Sequence, residues 1–147
     1  MRKMSYAEAI DDALAQAMAD DPRIIIMGED VRGLRADLLV RFGAQRVRNT
    51  PISENSIVGA ATGAALVGMR PVAEIMFVDF SGLAMDQIAN QAAKLRLMTG
   101  GQAKVPWVVR MPQGGGAGKS TAAQHSQSLE VWYAHIPGLK VVLPSTP

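Results

Sequence analysis

Ile24-Ile25-Ile26-Met27 is a run of large apolar residues without a single polar position, and Gly28-Glu29-Asp30 closes it at once. A strand with one wet face alternates polar and apolar residues. A strand without alternation is covered on both faces, which is the habit of parallel sheets clad in helices. Further strands are predicted at Pro71–Phe77, at Val105–Val109 and, as a fourth, at Lys140-Val141-Val142-Leu143. Helical signals separate them. Ser5 to Ala19 pairs Ser5 with Glu8 at capping-box spacing, carries Ala9, Leu14, Ala17 and Met18 as much of an apolar stripe, and stops at Asp20-Asp21-Pro22. Leu34 to Phe42 predicts a short helix stopped by Gly43, and the turn Thr50-Pro51-Ile52-Ser53-Glu54 feeds a helix over about Ile57 to Val67. Leu83–Leu97 and about Ser128 to Ala134 read as two more. Strands and helices alternating at this spacing predict a three-layer α/β/α fold around a mostly parallel sheet.

Composition removes whole classes of function. The 147 residues suit one domain, and 48% apolar with 19% charged is ordinary for a globular chain. With no cysteine there is no disulfide scaffold, thiol nucleophile or Cys-ligated metal, and two histidines, His125 and His135, are too few for a multi-histidine centre. Lys and Arg are scattered and the net charge is only +2, so nucleic acid is not an expected partner. Asn55–Met69, the longest uncharged stretch of interest, is shorter than the roughly 20 residues a membrane span needs. The basic start Met1-Arg2-Lys3-Met4 leads into Ser5-Tyr6-Ala7-Glu8 rather than an apolar signal, so a cytoplasmic location is expected. Pro144-Ser145-Thr146-Pro147 has linker composition directly after a predicted strand and reads as a domain boundary.

Four stretches could carry chemistry. Gly114-Gly115-Gly116-Ala117-Gly118-Lys119-Ser120 follows a predicted strand, as a phosphate-cradling loop would. Its spacing fails by one residue, because Gln113 stands where the pattern needs glycine, and a flexible glycine-rich loop is the stronger reading. Glu54 enters a helix, where a first-turn carboxylate meets unpaired N–H groups and gains about 0.3–1 kcal/mol. On the residues alone that role outweighs a catalytic one, although the mouth of a parallel sheet is where ligands bind. His125, within Ala123-Gln124-His125-Ser126-Gln127-Ser128, can donate or accept a proton but is as an isolated histidine more often structural; His135 reads as a helix C-terminal cation. Phe77 and Phe80 flank Asp79 at a strand end, and a ring there packs in the core or stacks on a heterocycle. Asp86-Gln87-Ile88-Ala89-Asn90-Gln91 reads as a polar helix face, and the helix near Gly59 and Gly63 needs close packing to offset its glycines.

Several ordered stretches together resemble one family. They are Met27-Gly28-Glu29-Asp30-Val31, Thr50 to Glu54, Arg70 to Phe77, Met85-Asp86-Gln87 through Ala93-Lys94, Ala123 to Ser128, and Pro137 to Val142. The chain is similar to the β subunit of the thiamine-diphosphate-dependent decarboxylase component of 2-oxo acid dehydrogenase complexes, shared by pyruvate, branched-chain and acetoin dehydrogenases. The resemblance covers the first, transketolase-like pyrimidine-binding domain over residues 1–147, with the family's C-terminal domain absent. It implies thiamine diphosphate as cofactor, with its diphosphate and Mg2+ held by the α subunit. The implied partners are that α subunit, a lipoyl acyltransferase core and a second β subunit. By position, Glu54 matches the glutamate facing the pyrimidine N1′, where a shared proton favours the imino tautomer that deprotonates the thiazolium. Phe80 matches the aromatic residue packed on the pyrimidine, and His125 the histidine that orients or protonates later intermediates up to transfer onto lipoyl. Some members hold a potassium ion partly through backbone near Trp107. Val31–Arg35 is shorter than the family's glycine- and aromatic-rich loop, and Gly118–Thr121 is more polar than the family's stretch there. Two other readings are a non-catalytic assembly fragment and, third, a nucleotide-binding loop.

Overall fold

A computed structural model describes residues 3–115 and 121–144. Helix α1 (Tyr6–Asp20) begins at Ser5, whose hydroxyl accepts from the Glu8 amide at 3.2 Å while Glu8 Oε2 accepts from the Ser5 amide at 2.6 Å. The expected capping box is thus made, satisfying two otherwise orphaned N–H groups. Strand β1 (Ile24–Gly28) follows. The short Val31–Arg35 stretch winds into a single turn, α2 (Val31–Leu34), ahead of α3 (Ala36–Phe42), which Gly43 ends with a positive φ of 78°.

Strand β2 (Val47–Asn49) was not expected: it is three residues long and only Val47 is buried, so it carries no apolar run to read. Helix α4 (Glu54–Leu66) leads to β3 (Arg70–Glu74). The predicted strand end at Phe77 is too late, because the chain leaves the ladder after Glu74 and winds into a 3-10 segment, Val78–Ala84. The predicted Leu83–Leu97 helix is therefore composite, with a π-helical stretch over Asp86–Ala92 and α5 (Ala93–Met98). Strand β4 (Val108–Arg110) and α6 (Glu130–Ala134) complete the described elements, with His135 at the end of α6 as predicted.

All four strands are parallel in the order β2-β1-β3-β4, with Ile26 opposite both Val47 and Val72, and Val72 opposite Val108. The unbroken apolar character of β1 now has its cause. Ile25 and Met27 pack with Ile57, Val58 and Ala61 of α4 and with Val78, Ala84 and Ile88, while Ile26 packs on the opposite face with Met18, Val31, Leu38 and Val47. The three-layer expectation is met. The expected strand at Lys140–Leu143 is not: those residues join no ladder, and Val142 is 77% exposed. An apolar run specifies a strand only where a neighbour presents free backbone, and here the described tie is at the tail, where the Tyr6 hydroxyl donates to the Pro144 carbonyl at 2.5 Å.

Candidate functional site

In a parallel sheet every loop after a strand emerges at the same edge. The segments after β2, β3 and β4 carry Glu54, Phe80 and His125 respectively, so the three candidates share the carboxyl edge. The helices after β1 pack on one face, those after β3 on the other, and the topological switch lies between β1 and β3. At that switch Gly28 faces Glu74 so closely that a Cβ would sit 2.5 Å from the Glu74 carbonyl oxygen. Beside it, through Glu74, lies a charged knot. Arg35 Nη2 lies 3.1 Å from Glu74 Oε1, Arg110 Nη2 lies 2.9 Å from Glu74 Oε2, and Arg35 Nη1 reaches Asp11 at 2.6 Å.

Glu54 is the first residue of α4 and is 6% exposed. Among the described residues its side chain has no hydrogen-bond or ionic partner. The helix-terminal role holds by position, and no described residue pairs with the carboxyl group itself. Neither Glu54 oxygen is among the fully enclosed, unpaired side-chain atoms, so the carboxyl group keeps an opening to the outside through which a ligand can meet it. A cavity of about 340 Å3 lies beside this turn, lined by Met27, Thr50, Pro51, Ser53, Ser56, Ile57 and Ala60; Glu54 is not in its wall.

Phe80 and His125 are brought together. The His125 ring stands 5.0 Å from the centroids of both Phe77 and Phe80, edge-on at 72° and 88°, and the two Phe rings are 6.0 Å apart. Because β3 ends before them, the two rings do not share a strand face; they converge through the 3-10 turn. The Val78 amide donates to the Pro112 carbonyl at 2.9 Å and holds that turn to the chain leaving β4. Glu54 stands on the neighbouring helix, which packs on the same turn through Ile57 and Val58. Trp107 Nε1 donates to Thr62 Oγ1 at 3.1 Å and ties the approach to β4 onto α4.

Two functional features escaped sequence reasoning. The knot of Glu74, Arg35, Arg110 and Asp11 joins α1, the junction of α2 and α3, β3 and β4, which no local pattern reveals. Asp79 Oδ1 accepts from the Gln127 amide at 3.2 Å and from Gln127 Nε2 at 2.8 Å. Burial pushes the Asp79 carboxyl up, but these two bonds, with backbone donors of Asp79 and Ser126, outweigh it and hold it below the usual carboxylate range. The only signal in the sequence was an acid between two phenylalanines at a strand end. Gly116–Ser120, the core of the glycine-rich loop, lies outside the described residues.

Comparison with known proteins places this arrangement. The profile of the transketolase pyrimidine-binding domain matches residues 2–147. The chain belongs to that family. It is 49% identical to the acetoin:2,6-dichlorophenolindophenol oxidoreductase subunit beta of Cupriavidus necator, over 99% of this chain and 47% of the relative. It is 45% identical to the pyruvate dehydrogenase E1 component subunit beta of Rhizobium meliloti, over 99% of this chain and 33% of that protein. The 2-oxoisovalerate dehydrogenase subunit beta of Bacillus subtilis is also 45% identical, with 100% and 46% covered. The chain thus spans less than half the length of these relatives. A solved split-gene transketolase, an inactive beta4 tetramer, shares the fold with a TM-score of 0.66 at 22% identity, over 88% of this chain and 39% of that one. No described helix is long and apolar enough to cross a membrane.

Proposed function

We propose that this chain provides the cofactor-activating surface of a thiamine-diphosphate-dependent 2-oxo acid dehydrogenase, as the β component of a hetero-oligomer in the cytoplasm. One observation carries the reading: Glu54, a largely buried residue whose carboxyl group has no described protein partner, stands at the same carboxyl edge of the sheet as Phe80 and His125. That donor set fits an aminopyrimidine, which offers a ring nitrogen to a carboxyl group and flat faces to an aromatic side chain. When bound, thiamine diphosphate supplies a nucleophilic carbon and an electron sink for decarboxylation.

Glu54 would share a proton with the ring nitrogen. Phe80 would cover one face of the ring. His125, packed on Phe77 and Phe80, has no described hydrogen bond to its ring nitrogens, so both are free to orient or protonate the acyl group on its way to a lipoyl carrier. Mg2+ and the diphosphate are assigned to an α-type partner subunit, and a second β copy and a lipoyl acyltransferase core complete the proposed assembly.

The test co-expresses the chain with an α-type subunit and follows cofactor content by native mass spectrometry and turnover of 2-oxo acids. Glu54→Gln should lower decarboxylation by at least about 100-fold while the variant chain still assembles and melts as before. Unchanged turnover in that variant would remove Glu54 from the mechanism.

A further inference from the structure

The clamp between Asp79 and Gln127 joins residues 48 positions apart, and it lies beside the one histidine placed at the site. Gln127 is held at three points. Its amide N–H and its side-chain Nε2 both donate to Asp79 Oδ1, and its carbonyl accepts from the Gly114 amide at 2.8 Å. His125 is two residues away. Its own amide donates to the Ala122 carbonyl at 3.2 Å, and Thr121 Oγ1 donates to the His125 carbonyl at 3.2 Å, so a tight turn carries the ring. Ala122 takes a left-handed φ of 69° to make that turn.

The His125 imidazole itself has no described hydrogen bond, and its described ring contacts are with Phe77 and Phe80. Ring contacts restrict a side chain weakly unless the backbone beneath is fixed. The loop that carries His125 is polar, mostly exposed and without regular structure, so fixation must come from a specific tie. Asp79 is suited to it. It lies in the 3-10 segment after β3, in sequence between Phe77 and Phe80 that His125 meets, and one oxygen takes two N–H donors, an arrangement stronger than neutral hydrogen bonds when the acceptor is a carboxylate.

We propose that Asp79 is a positioning residue: by clamping Gln127 it holds the His125 imidazole between Phe77 and Phe80 with both ring nitrogens open to the reacting group. The purpose rests on the functional reading given above; the clamp itself does not. It follows the general rule that a working side chain needs a supporting contact to fix its geometry.

The test is NMR on the full chain, which contains only His125 and His135, so each imidazole is resolved and His135 serves as the internal control. In the unmodified chain the His125 ring protons should be displaced from random-coil positions and show NOEs to Phe77 and Phe80. Asp79→Ala should abolish those NOEs and return His125 to random-coil shifts without moving His135. Asp79→Asn keeps an oxygen acceptor and should restore them. If His135 also moves in the alanine variant, the chain has lost its fold, and Gln127→Ala, which removes one of the two bonds, replaces it with an expected partial loss of the NOEs. Unchanged His125 shifts in a folded Asp79→Ala or Gln127→Ala variant would overturn the proposal, as would equal loss in the alanine and asparagine variants. None of these readouts needs cofactor or partner. An inert Glu54→Gln substitution would thus sink the functional reading and leave the clamp standing.

Discussion

At the residue scale, the least forgiving position is Glu74. Its side chain is 5% exposed and that of Arg35 is 7% exposed, so each charge depends on the other and on Asp11 and Arg110 for its solvation. A complete buried pair contributes little net stability, because desolvation offsets most of the attraction, but a broken one is expensive. Glu74→Ala leaves the Arg35 guanidinium buried with Asp11 alone, and the chain should lose about 3 kcal/mol in urea denaturation. A loss below about 1 kcal/mol would mean that water reaches Arg35. The sequence shows Glu74 only as a polar interruption in an apolar run, and its partners lie 39 and 36 positions away. Glu54 was legible for a different reason: a carboxylate after a Pro-Ile turn at a helix entry is a local pattern. Its lack of a partner among the described residues was not legible, because that depends on every residue that could have reached it.

At the element scale, α4 shows what glycine in a helix means when the neighbours are known. A Cβ on Gly59 would come 3.2 Å from Gln87 Oε1, so that glycine admits a close approach of the π-helical stretch, as the sequence predicts. A Cβ on Gly63 would meet nothing within 4 Å among the described residues. Gly63→Ala should therefore stabilise the isolated chain by about 0.5–1 kcal/mol, through helix propensity alone, and thermal unfolding measures it. A destabilised variant would show that another surface covers this face. The strands and helices with dense local signals were readable from the sequence, down to the capping box at Ser5 and Glu8. The 3-10 and π segments were not. Both lie between β3 and α5 in the stretch that packs on α4, and Asp86 holds the π stretch by accepting from Asn90 Nδ2 at 2.9 Å and Gln91 Nε2 at 3.4 Å. Such windings answer to packing, whereas helical periodicity answers to the chain alone.

At the scale of the whole molecule, the amino edge of the sheet is tied by Asp21, which ends α1, and the carboxyl edge by Glu74. A side-chain hydrogen bond from Arg23, with its backbone amide, lowers the Asp21 carboxyl from its ordinary 3.8 to about 2, and Arg70 at the start of β3 lies 3.3 Å away. A carboxylate held lower when folded than unfolded contributes stability that is present above 3.8 and is lost as the pH falls through about 2. An NMR titration of Asp21 should find its midpoint near 2; a midpoint near 3.8 would show that the Arg23 contact does not persist in solution.

The sequence by itself determined the α/β class, the parallel sheet buried on both faces, most helices, and the family, because each rests on patterns confined to a few neighbouring residues. The tertiary structure decided the rest. It denied Lys140–Leu143 a ladder, admitted the short β2, and set Glu74 among its arginines. It also gathered Phe77, Phe80, Asp79, His125 and Gln127 at one edge. These outcomes depend on which backbone groups and charges meet across dozens of residues. A pairing of that kind costs chain entropy to form, and only the assembled sheet brings its partners within reach.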